Sequence, residues 1–413
     1  MKRLIAVLAA VTVMSSIASA ELLKNFKYDG SLEVNAYNVD NATDFDSDTD
    51  DKNGKVDTRL ILNMGFDLND DANAVVTLTK NDRQWGTGSQ NGDNIQTNVW
   101  VDQAYLNLKG VMGLDHRVGR QFYGNPGDLV IYYGPKMWPY QTNIGAISAI
   151  DAWVGSYKYN DWEFTALLGK DVNAAGNMGE NLSAFDVKTK LSGFDLNAYY
   201  YYKSNNNTAD SHLGLIGLRA GYDMSKFVNG LSLSGEYDAN NGSNNTTNKD
   251  YKGSAYKLNA NYSMSLAGKL GLKAEYAYLS GQDTSSDNKV FTPINGDYRP
   301  GIIANGYGTS AAYLGAVGTG NKVLSLGANW TPSAIEKLNI AVDYVNLKVA
   351  EENAGMNDTI GNECDLTLTW THSDKLSLKG YYAFLSPDED NAKAILGKDD
   401  AETMLGAAFV VKF

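Results

Sequence analysis

Segment after segment of this chain alternates apolar with polar residues, one for one, over a length of about ten residues. Leu60, Leu62, Met64, Phe66 and Leu68 alternate with Arg59, Asn63 and Asp67. Leu231, Leu233 and Tyr237 alternate with Ser232, Ser234, Glu236 and Asp238, and Leu270, Leu272, Tyr276 and Tyr278 with Lys273 and Glu275. Leu338, Ile340, Val342 and Tyr344 are followed by Cys364, Leu366, Leu368 and Trp370, then by Leu376, Leu378, Tyr382 and Phe384. The final segment puts Leu405, Phe409, Val411 and Phe413 on one face and Lys412 on the other. A period of two places successive side chains on opposite faces of a strand. Ten residues is the length that lets a tilted strand cross a bilayer. A soluble sandwich shows the same period, so alternation alone leaves both architectures open.

The connections separate them. Long links lie near 40–54, 83–95, 123–147, 171–181, 204–211, 239–250, 282–321, 349–361 and 387–401, and short ones such as Asn160-Asp161, Ser192-Gly193 and His372–Asp374 fall between them. Regular long–short order is the signature of a barrel with short periplasmic turns and long external loops. The predicted fold is therefore all-β: a closed antiparallel transmembrane barrel of about eighteen strands, with sixteen as the alternative. The seven prolines fall in links, as ladder hydrogen bonding requires. Trp100, Tyr105, Trp153, Trp162, Tyr199 to Tyr202 and Trp330 lie near segment ends and are expected in interfacial aromatic girdles.

The remaining composition fits an exported protein. Met1-Lys2-Arg3, the apolar run Leu4–Val13 and the small residues Ala18-Ser19-Ala20 form the three parts of a secretory signal, with cleavage expected before Glu21. Residues 21–413 are then a single barrel domain. Nowhere else is there a run of eighteen apolar residues, so no membrane helix is expected. The net charge of −13 becomes −15 once Lys2 and Arg3 are removed, which argues against nucleic acid as a partner. The lone Cys364 excludes an internal disulfide. The expected partners are outer-membrane lipids, small hydrophilic solutes and ions. Assembly with further copies of the chain stays open, because lipid-facing and subunit-facing strands read alike.

One stretch speaks to function. Val118-Gly119-Arg120-Gln121-Phe122-Tyr123-Gly124 leads into Asn125-Pro126-Gly127-Asp128-Leu129 and a long segment ending near Ile147. It resembles the Gram-negative outer-membrane porins, in which a Gly-Arg-Gln strand end opens a third external loop that folds into the barrel. The terminal aromatic strand resembles the assembly signal of such barrels, and the strand count is similar to the alginate-export and major-outer-membrane-protein porin types. The resemblance implies a water-filled channel for passive diffusion of ions and small hydrophilic solutes, narrowed by the loop at 123–147. It also implies a charged eyelet built around Arg120, with Arg59, Arg83 and Arg117 on neighbouring strands and Asp128 and Asp151 as facing acids. Such an eyelet sorts solutes by charge. Strict parity nevertheless puts Arg120 on the face of Val118, and a bulge at Gly119 is required to turn it inward.

Two further features bear on metal binding and catalysis. Asp46, Asp48 and Asp50 have the 1-3-5 spacing of a calcium loop, but Asp51 stands where that loop needs Gly and Asp57 where it needs Glu, so a solvated external loop is preferred and no cofactor is expected. Catalysis needs a positioned nucleophile and base, and His116, His212 and His372 fall on different segment ends, so no enzyme is expected. The alternative function is a structural or adhesive barrel that displays its loops. The Asn-rich tracts Asn205–Asn207 and Asn240–Asn248 read as loops.

Overall fold

The computed structural model describes residues 24–41, 45–85, 99–136, 147–172, 179–205, 211–283, 286–304, 318–352 and 357–413. Eighteen antiparallel strands form the wall: β1 Lys24–Asp40, β2 Asn53–Asn69, β3 Ala72–Gln84, β4 Trp100–Val111, β5 Leu114–Gln121, β6 Ile150–Tyr159, β7 Trp162–Val172, β8 Glu180–Leu191 and β9 Phe194–Asn205. They continue with β10 Ser211–Asp223, β11 Leu231–Asn244, β12 Ser254–Ser265, β13 Gly268–Leu279, β14 Asn321–Pro332, β15 Leu338–Val349, β16 Thr359–Ser373, β17 Leu376–Pro387 and β18 Glu402–Lys412. Each pairs with its neighbour in sequence, and β1 meets β18 from Ser31 opposite Lys412 to Asp40 opposite Thr403. That last ladder closes the barrel and removes the open edges that lipid does not tolerate.

The short turns all lie at the end that carries Lys24 and Lys412. Met112-Gly113 and Ser192-Gly193 have positive φ at both residues, the left-handed pair that a two-residue hairpin needs to match strand twist. The parity read from the sequence holds: Leu60, Leu233, Val342, Leu366, Leu368 and Phe409 are exposed on the outer wall, where their solvent is lipid. Pro332 and Pro387 are the last residues of β14 and β17.

Several expectations change. Asn240–Asn244 is not loop but the far end of β11, paired with β10 and with the two-residue strand Lys249–Asp250. Tyr105, Tyr199 and Tyr201 do not join a girdle. Tyr199 and Tyr201 are buried inside the barrel, and the Arg117 guanidinium lies 4.9 Å from the Tyr105 ring centroid. Period-two alternation sends every second aromatic inward, wherever it stands along the strand. The acidic link before β18 contains a helix, α1 Glu389–Leu396, capped by Asp388, whose carboxylate accepts the Asn391 amide at 3.0 Å. Finally, the link between β13 and β14 is not wholly external. Phe291, Ile294, Tyr298 and Ile302 are buried and belong to the barrel interior.

Candidate functional site

The interior is crossed by two loop segments that leave opposite walls and meet. The first follows β5. Phe122 donates its amide to Gln103 Oε1 at 3.1 Å, and Tyr123–Gly124 pairs with Tyr132–Tyr133 as a small hairpin. Asn125-Pro126-Gly127-Asp128 makes the turn: the Asp128 amide donates to Asn125 O at 3.2 Å, and Gly127 has φ 76°. Pro at the second and Gly at the third position suit the turn type that needs φ > 0 there. Leu129, Val130, Ile131 and Tyr133 are then buried against Ile150, Leu167, Leu182 and Leu215 of the wall. Burying each of the aliphatic side chains among them stabilises the inward position by about 1.5–3 kcal/mol.

Residues 286–304 form the second segment. The Tyr132 amide donates to Asn295 O at 2.7 Å and the Ile294 and Asn295 amides donate to Val130 O, each at 3.1 Å. Asn295 Nδ2 donates to Tyr132 O at 2.8 Å. Lys136 Nζ lies 3.3 Å from Asp297 Oδ1. The segment continues to the far wall, where Ile303 and Ala304 each donate an amide to Glu363 at 2.7 Å and Ile302 donates one to Asp365 at 3.0 Å. Tyr298 Oη donates to Glu275 Oε1 at 2.7 Å.

Charged side chains pin this bridge to the wall. Arg59 is buried, donates to Glu33 Oε2 at 2.6 and 3.1 Å, and donates to Lys136 O at 2.9 Å. On the opposite side Arg219 donates to Asp128 Oδ1 at 2.9 Å and to Glu236 Oε1 at 2.7 and 2.8 Å, with its guanidinium 4.7 Å from the Tyr199 ring centroid. Lys203 Nζ reaches Asp171 and Glu180, each at 2.8 Å, and Ile294 O at 3.3 Å. Charge-assisted hydrogen bonds of this kind are the strong ones and fix geometry.

Among the residues expected at an eyelet, Arg59 and Asp128 are thus brought to the bridge from opposite sides. Arg117 faces inward below it, with Nε donating to Asn107 Oδ1 at 3.2 Å. Arg83 pairs with Thr58 in the β2–β3 ladder; its side chain lies outside the described residues, as do 137–146 of the first loop. Arg120 and Asp151 pair with each other, 3.4 Å apart, but on the outer wall. Gly119 has φ 128° and yet does not shift the register, so Arg120 keeps the parity of Val118, and Asp151 alternates with the buried Ile150 and Ala152. Sequence reasoning missed Arg219, Lys203, Glu363 and Asp365. Each stood in an alternating segment as one more inward polar residue, with no local mark of its loop partner.

Beneath the bridge, on the short-turn side, lies a cavity of about 930 Å³ whose lining includes Asp67, Asp70, Asp71, Asp115 and Glu163, against Lys109 and Arg117. On the external side, Lys398 Nζ lies 2.9 Å from Asp46 Oδ1 and 3.2 Å from Asp48 Oδ2. An ammonium therefore stands between two of the three carboxylates of the suspected calcium loop; Asp50 is exposed beside them. Ser47 donates its amide and hydroxyl to Asp400 Oδ2 at 2.8 and 2.7 Å. Lys398 holds the Asp46 carboxyl below its usual range, and Ser47 does the same for Asp400.

A family model described as Gram-negative porin matches residues 6–390. No curated protein matches the chain by sequence. Among solved structures, Pseudomonas aeruginosa OccK9 (OpdG) superposes with a TM-score of 0.61 at 11% identity, covering 95% of this chain and all 100% of that one. The P. aeruginosa outer membrane protein OprD gives 0.60 at 9% identity, covering 95% and 94%. P. aeruginosa OpdL gives 0.60 at 12%, covering 94% and 98%. At such identities the likeness establishes the barrel fold.

Proposed function

Since the chain belongs to the Gram-negative porin family, and is thereby a non-enzymatic outer-membrane channel for small-solute diffusion, we propose that its selectivity filter is the two-loop bridge and that it prefers cations. The observation that carries the reading is the pinning of the first loop from both sides, by Arg59 at Lys136 and by Arg219 at Asp128. A solute descending the lumen meets Arg59, Lys136, Lys203 and Arg219 at this depth, each engaged with an acid. Compensated cations at a constriction leave the field to the unbalanced charges elsewhere. Those are net acidic at both mouths: outside, Asp46, Asp48, Asp50, Asp399 and Asp400 outnumber their partners Lys398 and Lys393, and in the cavity wall Asp67, Asp70, Asp71, Asp115 and Glu163 outnumber Lys109 and Arg117. Acids within a Debye length of the path, about 8 Å at physiological salt, concentrate cations and repel anions. Arg117 tunes this field from the lower cavity. Export proceeds through cleavage of a signal peptide before Glu21, which lies outside the described residues.

Single-channel recording in a planar bilayer across a KCl gradient tests the proposal. A reversal potential of the sign that reports potassium permeation is expected. A chloride-selective pore would overturn the cation reading. A barrel that passes almost no current would favour the structural or adhesive alternative.

A further inference from the structure

Arg120 and Asp151, drawn away from the lumen by strand parity, stand in a continuous row on the outer wall. Across the β5–β6 and β6–β7 ladders that row reads Arg120, Asp151 and Lys170. The next outward positions toward the membrane centre on these three strands are Val118, Trp153 and Leu168. Val118 and Leu168 are 41% and 58% exposed on the outer surface. On β5, β6 and β7 the apolar Val118, Trp153 and Leu168 thus lie one step below the charged Arg120, Asp151 and Lys170, the order expected where acyl chains give way to headgroups. Arg120, Asp151 and Lys170 lie at the loop end of β5, β6 and β7, so the headgroups they meet belong to the external leaflet.

At that depth two cations flank one acid. Arg120 reaches Asp151 through Nη1 alone, at 3.4 Å, and its side chain is 39% exposed against 63% for Asp151. Lys170, directly opposite Asp151 in the β6–β7 ladder, is exposed. Arg120 and Lys170 thus flank Asp151 from the two adjacent strands, one step above an apolar shelf of Val118, Trp153 and Leu168. A guanidinium fork matches phosphate oxygens, an ammonium adds a point charge, and one carboxylate leaves the trio with an excess positive charge. We propose that Arg120 and Lys170 form a binding site for the phosphate of a phosphorylated glycolipid of the external leaflet, whose acyl chains lie on the shelf. The pair thus acts on the lipid outside the barrel rather than on the solute inside it.

The test uses the full chain refolded in nanodiscs of phosphatidylcholine, with chelator present so that no divalent ion bridges phosphate to Asp151. Retention of bis-phosphorylated lipid A and of its dephosphorylated form is read by native mass spectrometry. The phosphorylated form should be retained, and Arg120→Ala with Lys170→Ala should weaken it about tenfold or more, the effect of losing charge-assisted bonds. Asp151→Asn should move retention the other way, because it removes the competing acid. The control Lys188→Ala, inside the lumen, should leave retention unchanged. Equal retention of the dephosphorylated lipid overturns the proposal. So does displacement by millimolar inorganic phosphate, which would assign the site to the free ion. A change of oligomeric state in the double variant with unaltered lipid retention would assign the surface to a second copy of the chain. Should the double variant fail to close its barrel, Asp151→Asn decides, and unchanged or weaker retention there is refutation.

Discussion

Replacing Leu366 by arginine probes the outer wall where the membrane is least forgiving. Leu366 is the eighth of the fifteen residues of β16, so it stands midway between the rims. Its ladder neighbours are Val342 on β15 and Tyr382 on β17, both exposed outward, so a guanidinium there has no carboxylate directly opposite it. The cost of arginine at the bilayer midplane of a barrel is about 2–4 kcal/mol. At about 1.4 kcal/mol per factor of ten, this is a loss of roughly 30- to 700-fold in the folding constant. The adjacent Thr367, half-exposed, faces the lumen between Ala341 and Tyr381. Arginine there remains in water, and a change within about 0.5 kcal/mol is expected for a solvated site. Urea titrations of the two variants refolded into phosphatidylcholine vesicles give the comparison directly. Equal destabilisation at 366 and 367 would mean that both faces of β16 are dry, and the assignment of lipid and lumen faces would fall.

Three further outcomes follow from the interior and the loops. Arg219→Ala removes the bond to Asp128 and frees one side of the bridge, so single-channel conductance and the size limit for neutral sugars should both rise in liposome swelling; an unchanged limit would mean that the hairpin is held by its apolar packing alone. Asp70→Asn with Asp71→Asn should shift the reversal potential in a KCl gradient toward zero, and a shift toward stronger potassium preference would contradict an acidic lower mouth. The contact of Lys398 and Ser47 with Asp46 and Asp400 should depend on acid: both carboxyls are depressed in the folded state, so the contact is present above their unfolded value of about 3.9 and is lost as pH falls through the lower folded values. A spin label at Asp50→Cys, in a Cys364→Ala background, should gain mobility only below about pH 4, and loosening near pH 6 would point to another group.

The wall of this protein was legible residue by residue, because strand parity is a local property. Once Leu60 is known to face lipid, Arg59 must face the lumen, and the same rule sends Arg120 to the outside with Val118. The family motif pulled the other way at Arg120, and parity prevailed because Gly119, despite its unusual φ, leaves the ladder unbroken. The alternation of long and short links likewise carried the closed barrel and its strand number. What no periodicity carries is the destination of a long loop. The segment 286–304 resembles any other external link until Ile303 and Ala304 find Glu363 some sixty residues away. Asp46 looked like part of a cation loop until Lys398 came to it from the far end of the chain. The contact of Arg219 with Asp128 spans 91 residues. Such pairings are set only when the closed barrel brings the far strands around its circumference. The alternating sequence therefore determined the pore wall and its two faces, and closure alone decided what narrows the pore and which charges meet there.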